Sequence, residues 1–334
     1  MLPILLIGLA GAAAYSVKNI IDKKDIEKEI ENIKAKIEQE DKQTQQELIK
    51  ASGLLTKAMY EVKTKFEGFA AERYQKLLDE FSRIKRIETI IPEINMNTIK
   101  EYSNAISKRV KDLKTITLNL EKQGKGISAE EIAKISALSV LGGVGSALAV
   151  GALLNENDDE EGSSLLTPQA ALAGVVVGLG VAALLWPYTS KKQKEEELEK
   201  LKKEKAEMEV IFEKRRSMSQ ILLKMENYMT AYTRFLDELS EIVKVEIQVV
   251  KQIIQKFGVD AKSYPSEILD RVAKTFKVLS ICHKSSSLNP IIKYFKYFKE
   301  QPNELQIDDE FIPALNGVNE ELQQLKPMLL QQTY

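Results

Sequence analysis

Two apolar runs stand out against a chain that is otherwise charged at almost every turn. Residues 135–154 and 165–188 contain no Asp, Glu, Lys or Arg, and the segment between them, 155–164, is strongly acidic. Each run reaches the roughly 20 residues that a membrane-spanning helix needs. Lys134 precedes the first run, and Lys191 and Lys192 follow the second. Basic residues mark the cytoplasmic side of a span, so both outer ends are expected there and the acidic loop on the far side. Trp186 and Tyr188 fall where an aromatic belt would anchor the second run.

The runs are rich in small residues as well as in aliphatic ones. The first holds nine Leu, Ile or Val residues but also four glycines and three serines. Gly143, Ala147 and Gly151 recur every fourth residue, as do Gly174, Gly178 and Ala182. Such stripes let two helix backbones approach closely, so they predict the seam of a transmembrane hairpin. The alternative is a Gly/Ala-rich hairpin buried in a soluble bundle. A G-x-G-x-x-A match at Gly178–Ala183 lacks the strand–turn–helix surroundings of a dinucleotide site, and no cofactor is expected.

Outside the runs the pattern is helical throughout. Residues 1–17 are apolar and are followed by Lys18, Lys23 and Lys24, which predicts an N-terminal anchor with Tyr15 and Lys18 at the cytoplasmic interface. Residues 18–91 read as one helix ended by Pro92 and open to a kink at Ser52-Gly53. Leu55, Met59, Val62, Phe66 and Phe69 form its stripe. Ala70, Tyr74, Leu77, Phe81 and Ile84 continue it, shifted by one residue, as a 3.6-residue helix drifts against a heptad. Thr98 and Glu101 have capping-box spacing and start a second helix that reaches about Glu121. A third helix is expected to enter the first apolar run from about residue 129.

Residues 190–257 contain no Pro or Gly, which allows a helix on the order of 100 Å long. Met218, Leu222, Met225, Met229, Tyr232, Leu236, Leu239 and Val243 follow a 4-3 spacing, the signature of a coiled-coil seam. Its methionines suit a seam that can repack against varied partners, and periodicity alone does not separate that from an intramolecular core. Shorter helices follow from Pro265. In 291–299 aromatics interleave with Lys293, Lys296 and Lys299, a pattern that fits a packing face, a membrane surface or a single-stranded nucleic acid.

The expected class is therefore all-α: anchor 1–17, helical stalk 18–134, transmembrane hairpin 135–188, long coiled-coil helix 189–257 and short C-terminal helices 258–334. One strain appears in that plan. An outgoing helix of residues 18–91 is about 110 Å long, and the return helices to Lys134 span at most ~54 Å. The outgoing helix must bend, tilt or lie along the membrane.

Charge narrows the partners. Lys and Arg total 48 against 49 Asp and Glu, which gives no global attraction to nucleic acid. One cysteine, Cys282, excludes an intramolecular disulfide. One histidine, His283, excludes paired-His metal motifs, and no catalytic residue, metal site or enzyme motif is expected. The expected partners are the lipid bilayer and helices of this or another protein.

The order of apolar N-terminus, charged helices, Gly/Ala-rich apolar hairpin and long coiled coil resembles bacterial membrane-anchored coiled-coil proteins of the chemotaxis-like type. That resemblance implies a fold but no activity, since the signalling tip of true chemoreceptors is absent. The layout is also similar to α-helical pore-forming toxins. The function expected first is a non-enzymatic scaffold at the cytoplasmic face of a bacterial inner membrane. The alternative is conditional pore formation by residues 135–188.

Overall fold

The computed structural model describes residues 3–123, 191–295 and 309–330. Its side chains are described over 24–118, 192–294 and 309–329. Every regular element among them is helical. The sole extended pairing among the described residues is an isolated parallel bridge between Lys85 and Asp260. Helix α1 runs from Pro3 to Gly68, a π-helical turn from Phe69 to Tyr74, and α2 from Gln75 to Ser82. Helix α3 spans Met96–Gln123, α4 Lys191–Phe257, α5 Ser266–Ser287, α6 Pro290–Phe295 and α7 Phe311–Leu330. Among the described residues no helix is long and apolar enough to cross a membrane. The predicted hairpin 135–188, with Gly143, Ala147, Gly151, Gly174, Gly178 and Ala182, lies outside the described residues, as do Lys134, Trp186 and Tyr188. The backbone at Tyr15 and Lys18 belongs to α1, and Lys191 is the first residue of α4. Lys192 is exposed.

The chain divides into two units, residues 1–50 with 144–219 and residues 51–143 with 220–334. In the first, α1 and α4 lie side by side. Glu29 pairs with Lys202 at 2.8 Å. Twelve residues further along α1, Asp41 pairs with Arg215, thirteen residues further along α4, at 2.6 Å. Both helices advance together, so they run parallel. Arg215 is buried at the seam and also reaches Thr44 Oγ1 at 3.5 Å. Ile30, Leu48, Leu201, Phe212 and Met218 supply apolar core in this unit.

In the second unit the apolar stripe of α4 is the centre of the core. Leu222, Met225, Met229, Tyr232, Leu236, Leu239 and Val243 are all at most 1% exposed. Helix α5 packs on α4 antiparallel: Tyr232 meets the end of α5 at Ser285, and Glu246 meets its start at Arg271. Tyr228 stacks on Phe311 of α7 at 4.8 Å between centroids.

The one-residue shift in the first stripe has a discrete cause. All ten positions from Leu55 to Ile84 are buried, and the shift falls at Phe69 and Ala70, where the π-helical turn begins. A π turn accommodates one extra residue in an α-helix, so the stripe is re-registered in a single step rather than by gradual drift. Ser52 and Gly53 lie inside α1, which continues as helix through them. The helical stretch ends at Ser82, ten residues before Pro92. The reason is tertiary. The Lys85 N–H donates to the Val259 carbonyl at 2.7 Å, and the Lys85 carbonyl accepts from Ala261 at 3.1 Å. Arg86 then adopts a left-handed conformation with φ of 61°, which turns the chain and keeps Ile84 and Ile87 inside. Helix α3 starts two residues before Thr98, because Asn95 Oδ1 accepts the Asn97 N–H at 2.8 Å and acts as the cap. Gly258, at φ +80°, closes α4 with its N–H on the Ile254 carbonyl at 2.9 Å.

Candidate functional site

Polar side chains gather where α5 ends in the second unit. The last turn reads Cys282-His283-Lys284-Ser285-Ser286-Ser287. Each serine hydroxyl donates three residues back, to the carbonyls of Cys282, His283 and Lys284, at 2.9, 2.8 and 2.6 Å. The final carbonyls of a helix lack intrahelical partners and carry partial negative charge, so donors from other helices are favoured there. Two arrive. Tyr232 Oη of α4 donates to the Ser285 carbonyl at 3.1 Å. Arg109 of α3 donates through one Nη to the His283 carbonyl at 3.3 Å and to Ser286 Oγ.

Tyr74 and Tyr232 lie close enough to that guanidinium to interact with it electrostatically. Tyr102, about two turns before Arg109 on α3, stacks on His283 with centroids 4.2 Å apart and planes within 16°. Next to it, Ser103 and Gln75 exchange hydrogen bonds at 3.1 and 3.3 Å, which fixes the end of the π turn against α3. Tyr74, the last residue of that turn, is fully buried and interacts electrostatically with Arg109, Tyr102 and Cys282. Its hydroxyl has no hydrogen-bond partner among the described residues, and neither does the buried Nδ1 of His283.

The electrostatics follow from burial. Desolvation pushes the Tyr74 and Tyr232 phenols well above their ordinary range, so both are neutral. Burial, reinforced by Arg109, lowers His283 and keeps the imidazole neutral. Burial lowers Arg109 as well. Burial drives the Cys282 thiol well up, the opposite of what a nucleophile requires. No group of three or more His, Cys, Asp or Glu able to hold a metal occurs among the described residues.

A second polar cluster lies between α4 and α5. Arg271 donates to both Glu246 oxygens, at 2.5 and 2.7 Å, and Thr275 Oγ1 donates to Glu246 Oε2 at 2.7 Å. Neither charged side chain is more than 1% exposed. This triad satisfies the carboxylate from three directions and is part of the core, while the buried Nε of Arg271 has no partner among the described residues.

Of the residues singled out in the sequence, the structure brings Tyr232 and Cys282-His283 to one place. Met218 lies buried in the first unit, and the rest of the stripe is buried in the second. In the 291–295 stretch, Ile291 and Tyr294 are buried while Lys293 is exposed with its ammonium 5.5 Å from the Tyr294 ring centre, an arrangement of packing face and solvated lysine. Lys296 and Lys299 lie outside the described residues. Sequence reasoning missed Tyr74, Tyr102 and Arg109. Tyr74 reads there as one more stripe position, and Arg109 as one more surface charge. Comparison with protein-family models, with curated proteins and with solved structures finds no match.

Proposed function

We propose that the chain is a membrane-anchored helical scaffold without enzymatic activity, held by residues 1–17 and 135–188 and presenting its helical units to one aqueous compartment. The observation that carries this reading is the parallel course of α1 and α4 in the first unit. Helix α1 begins at Pro3 within the apolar stretch 1–17, and α4 follows the run 165–188 in sequence. Two helices that leave one bilayer on the same side must run in the same direction, and these do. Lys18 and Lys191 then mark the same side by the positive-inside rule. Burial of the α4 stripe supports assigning it to the protein's own core, so contacts with other proteins are assigned to the outer helix faces.

The test is an alkaline carbonate wash of membranes from cells expressing the full chain, followed by a protease-cleavable tag inserted within 155–164. The expected result is retention in the pellet, with the tag cut only from the side opposite the C-terminus. Release into the supernatant overturns the anchored scaffold. It transfers the apolar runs to a hidden hairpin, and leakage of dye from liposomes then becomes the measurement of choice.

A further inference from the structure

We infer that Arg109, Tyr74 and His283 form a binding site for a small oxyanion, a phosphate or carboxylate group, in the second unit. The inference is independent of membrane anchorage. It starts from a contrast among the arginines. Arg271 is buried and paired with Glu246, and Arg215 is buried and paired with Asp41. Arg109 is half-buried, yet no carboxylate among the described residues pairs with it. Withdrawing a guanidinium from water without a counter-charge is costly, and helix carbonyls and a hydroxyl offset only part of that. Both of its hydrogen bonds leave from one Nη, so the other Nη and the Nε of the fork are not used in them. A guanidinium fork matches the geometry of a carboxylate or phosphate.

The second observation concerns the neighbours. Tyr74 is 0% exposed and its hydroxyl has no partner among the described residues. The Nδ1 of His283 is buried and lacks one as well, while its ring is held by the Tyr102 stack and its carbonyl by Arg109. Buried polar atoms in folded proteins are nearly always bonded, and exceptions call for an explanation such as a bound ion. A phenol supplies an O–H donor, and a neutral imidazole supplies an N–H donor from Nδ1 in one tautomer. A guanidinium and two neutral donors share one complement: a group that only accepts and carries negative charge. The π turn has a role in this arrangement. It re-registers the helix by one residue just before Tyr74, and π turns concentrate at functional sites.

The test uses the purified full chain, in detergent where the carbonate wash retains it. Thermal unfolding is followed against inorganic phosphate, against acetate and against chloride at matched ionic strength. A saturable rise in melting temperature beyond the chloride control is expected. The more effective anion identifies whether the natural ligand carries phosphate or carboxylate. Arg109→Gln should abolish the rise. Tyr74→Phe removes a single unpartnered oxygen and leaves the core intact, so it serves where Arg109→Gln folds poorly. It should weaken the anion about ten-fold or more, as loss of a hydrogen bond to a charged group does. Absence of a saturable rise with either anion, or an unchanged rise in both variants, overturns the site.

Discussion

Glu246 and Arg271 face each other as a bidentate pair inside the second unit, with each side chain 1% exposed. A buried pair of this kind contributes little net stability against apolar residues of equal volume, yet breaking it is expensive because one charge is left alone. Glu246→Leu or Arg271→Met alone is therefore expected to destabilise the unit by about 3–5 kcal/mol, whereas the two combined restore most of that loss. Urea unfolding of the four proteins checks the cycle, and additive losses in the double variant would show that the pair is not the source.

Arg215 and Asp41 present the same chemistry at a different task. Their layer, completed by Thr44, sits in the seam of two parallel helices. A polar layer in such a seam fixes register at some cost in stability. Replacing both residues by leucine is expected to leave the melting temperature unchanged or higher. A cross-linker joining cysteines at Glu29 and Lys202 in a Cys282→Ser background should then lose efficiency, since the helices are free to slip. Undiminished cross-linking would locate register control elsewhere.

Burial and the nearby guanidinium depress the titration of His283 in the folded chain. The unfolded chain keeps the ordinary histidine value, near 6.5, and so binds more protons between the two values. Stability should fall as pH drops through about 6.5 and stop falling below the depressed folded value. Denaturant midpoints in phosphate-free buffer from pH 7.5 to 5 read this directly. His283→Phe keeps an aromatic ring for Tyr102 and should flatten that portion of the profile.

Cys282 is fully buried, and its thiol is pushed up by desolvation. Reaction with a thiol reagent at pH 8 should therefore be slow in the native protein and complete in denaturant. The labelling rate becomes a measure of opening of the second unit. Fast native labelling would mean that α5 detaches readily from α4.

Leu222 and Leu236 are 0% and 1% exposed in the core of the second unit. Leu222→Lys with Leu236→Lys is expected to unfold that unit rather than to sever a contact with another protein. Loss of helical circular dichroism separates the two outcomes, because a mere docking variant keeps its spectrum.

The repeating apolar positions made the long helices and their buried stripes readable in advance, down to the closing Gly258. The stripe's one-residue shift was also on the page, but not its cause: drift and a π turn leave the same mark on a list of residues. The end of α2 was hidden because Ile84 and Ile87 prolong the apolar pattern past the true break. That break depends on a backbone pairing of Lys85 with Val259 and Ala261, far away in sequence. Helix α3 starts at an asparagine cap, and Thr98-Glu101 only mimics one. The cluster around Arg109 was invisible for a related reason. Its meaning comes from what lies beside it in space, the end of α5 and the π turn, and no local spacing encodes that.

The parallel pairing of α1 and α4 also sets the order of events during synthesis. Asp41 and Arg215 stand 174 positions apart. At roughly 5–20 residues per second, a ribosome needs on the order of ten to thirty-five seconds to supply the second partner after the first has emerged. For that interval α1 waits without the α4 face that pairs with it, so the seam closes only after most of the chain has been made.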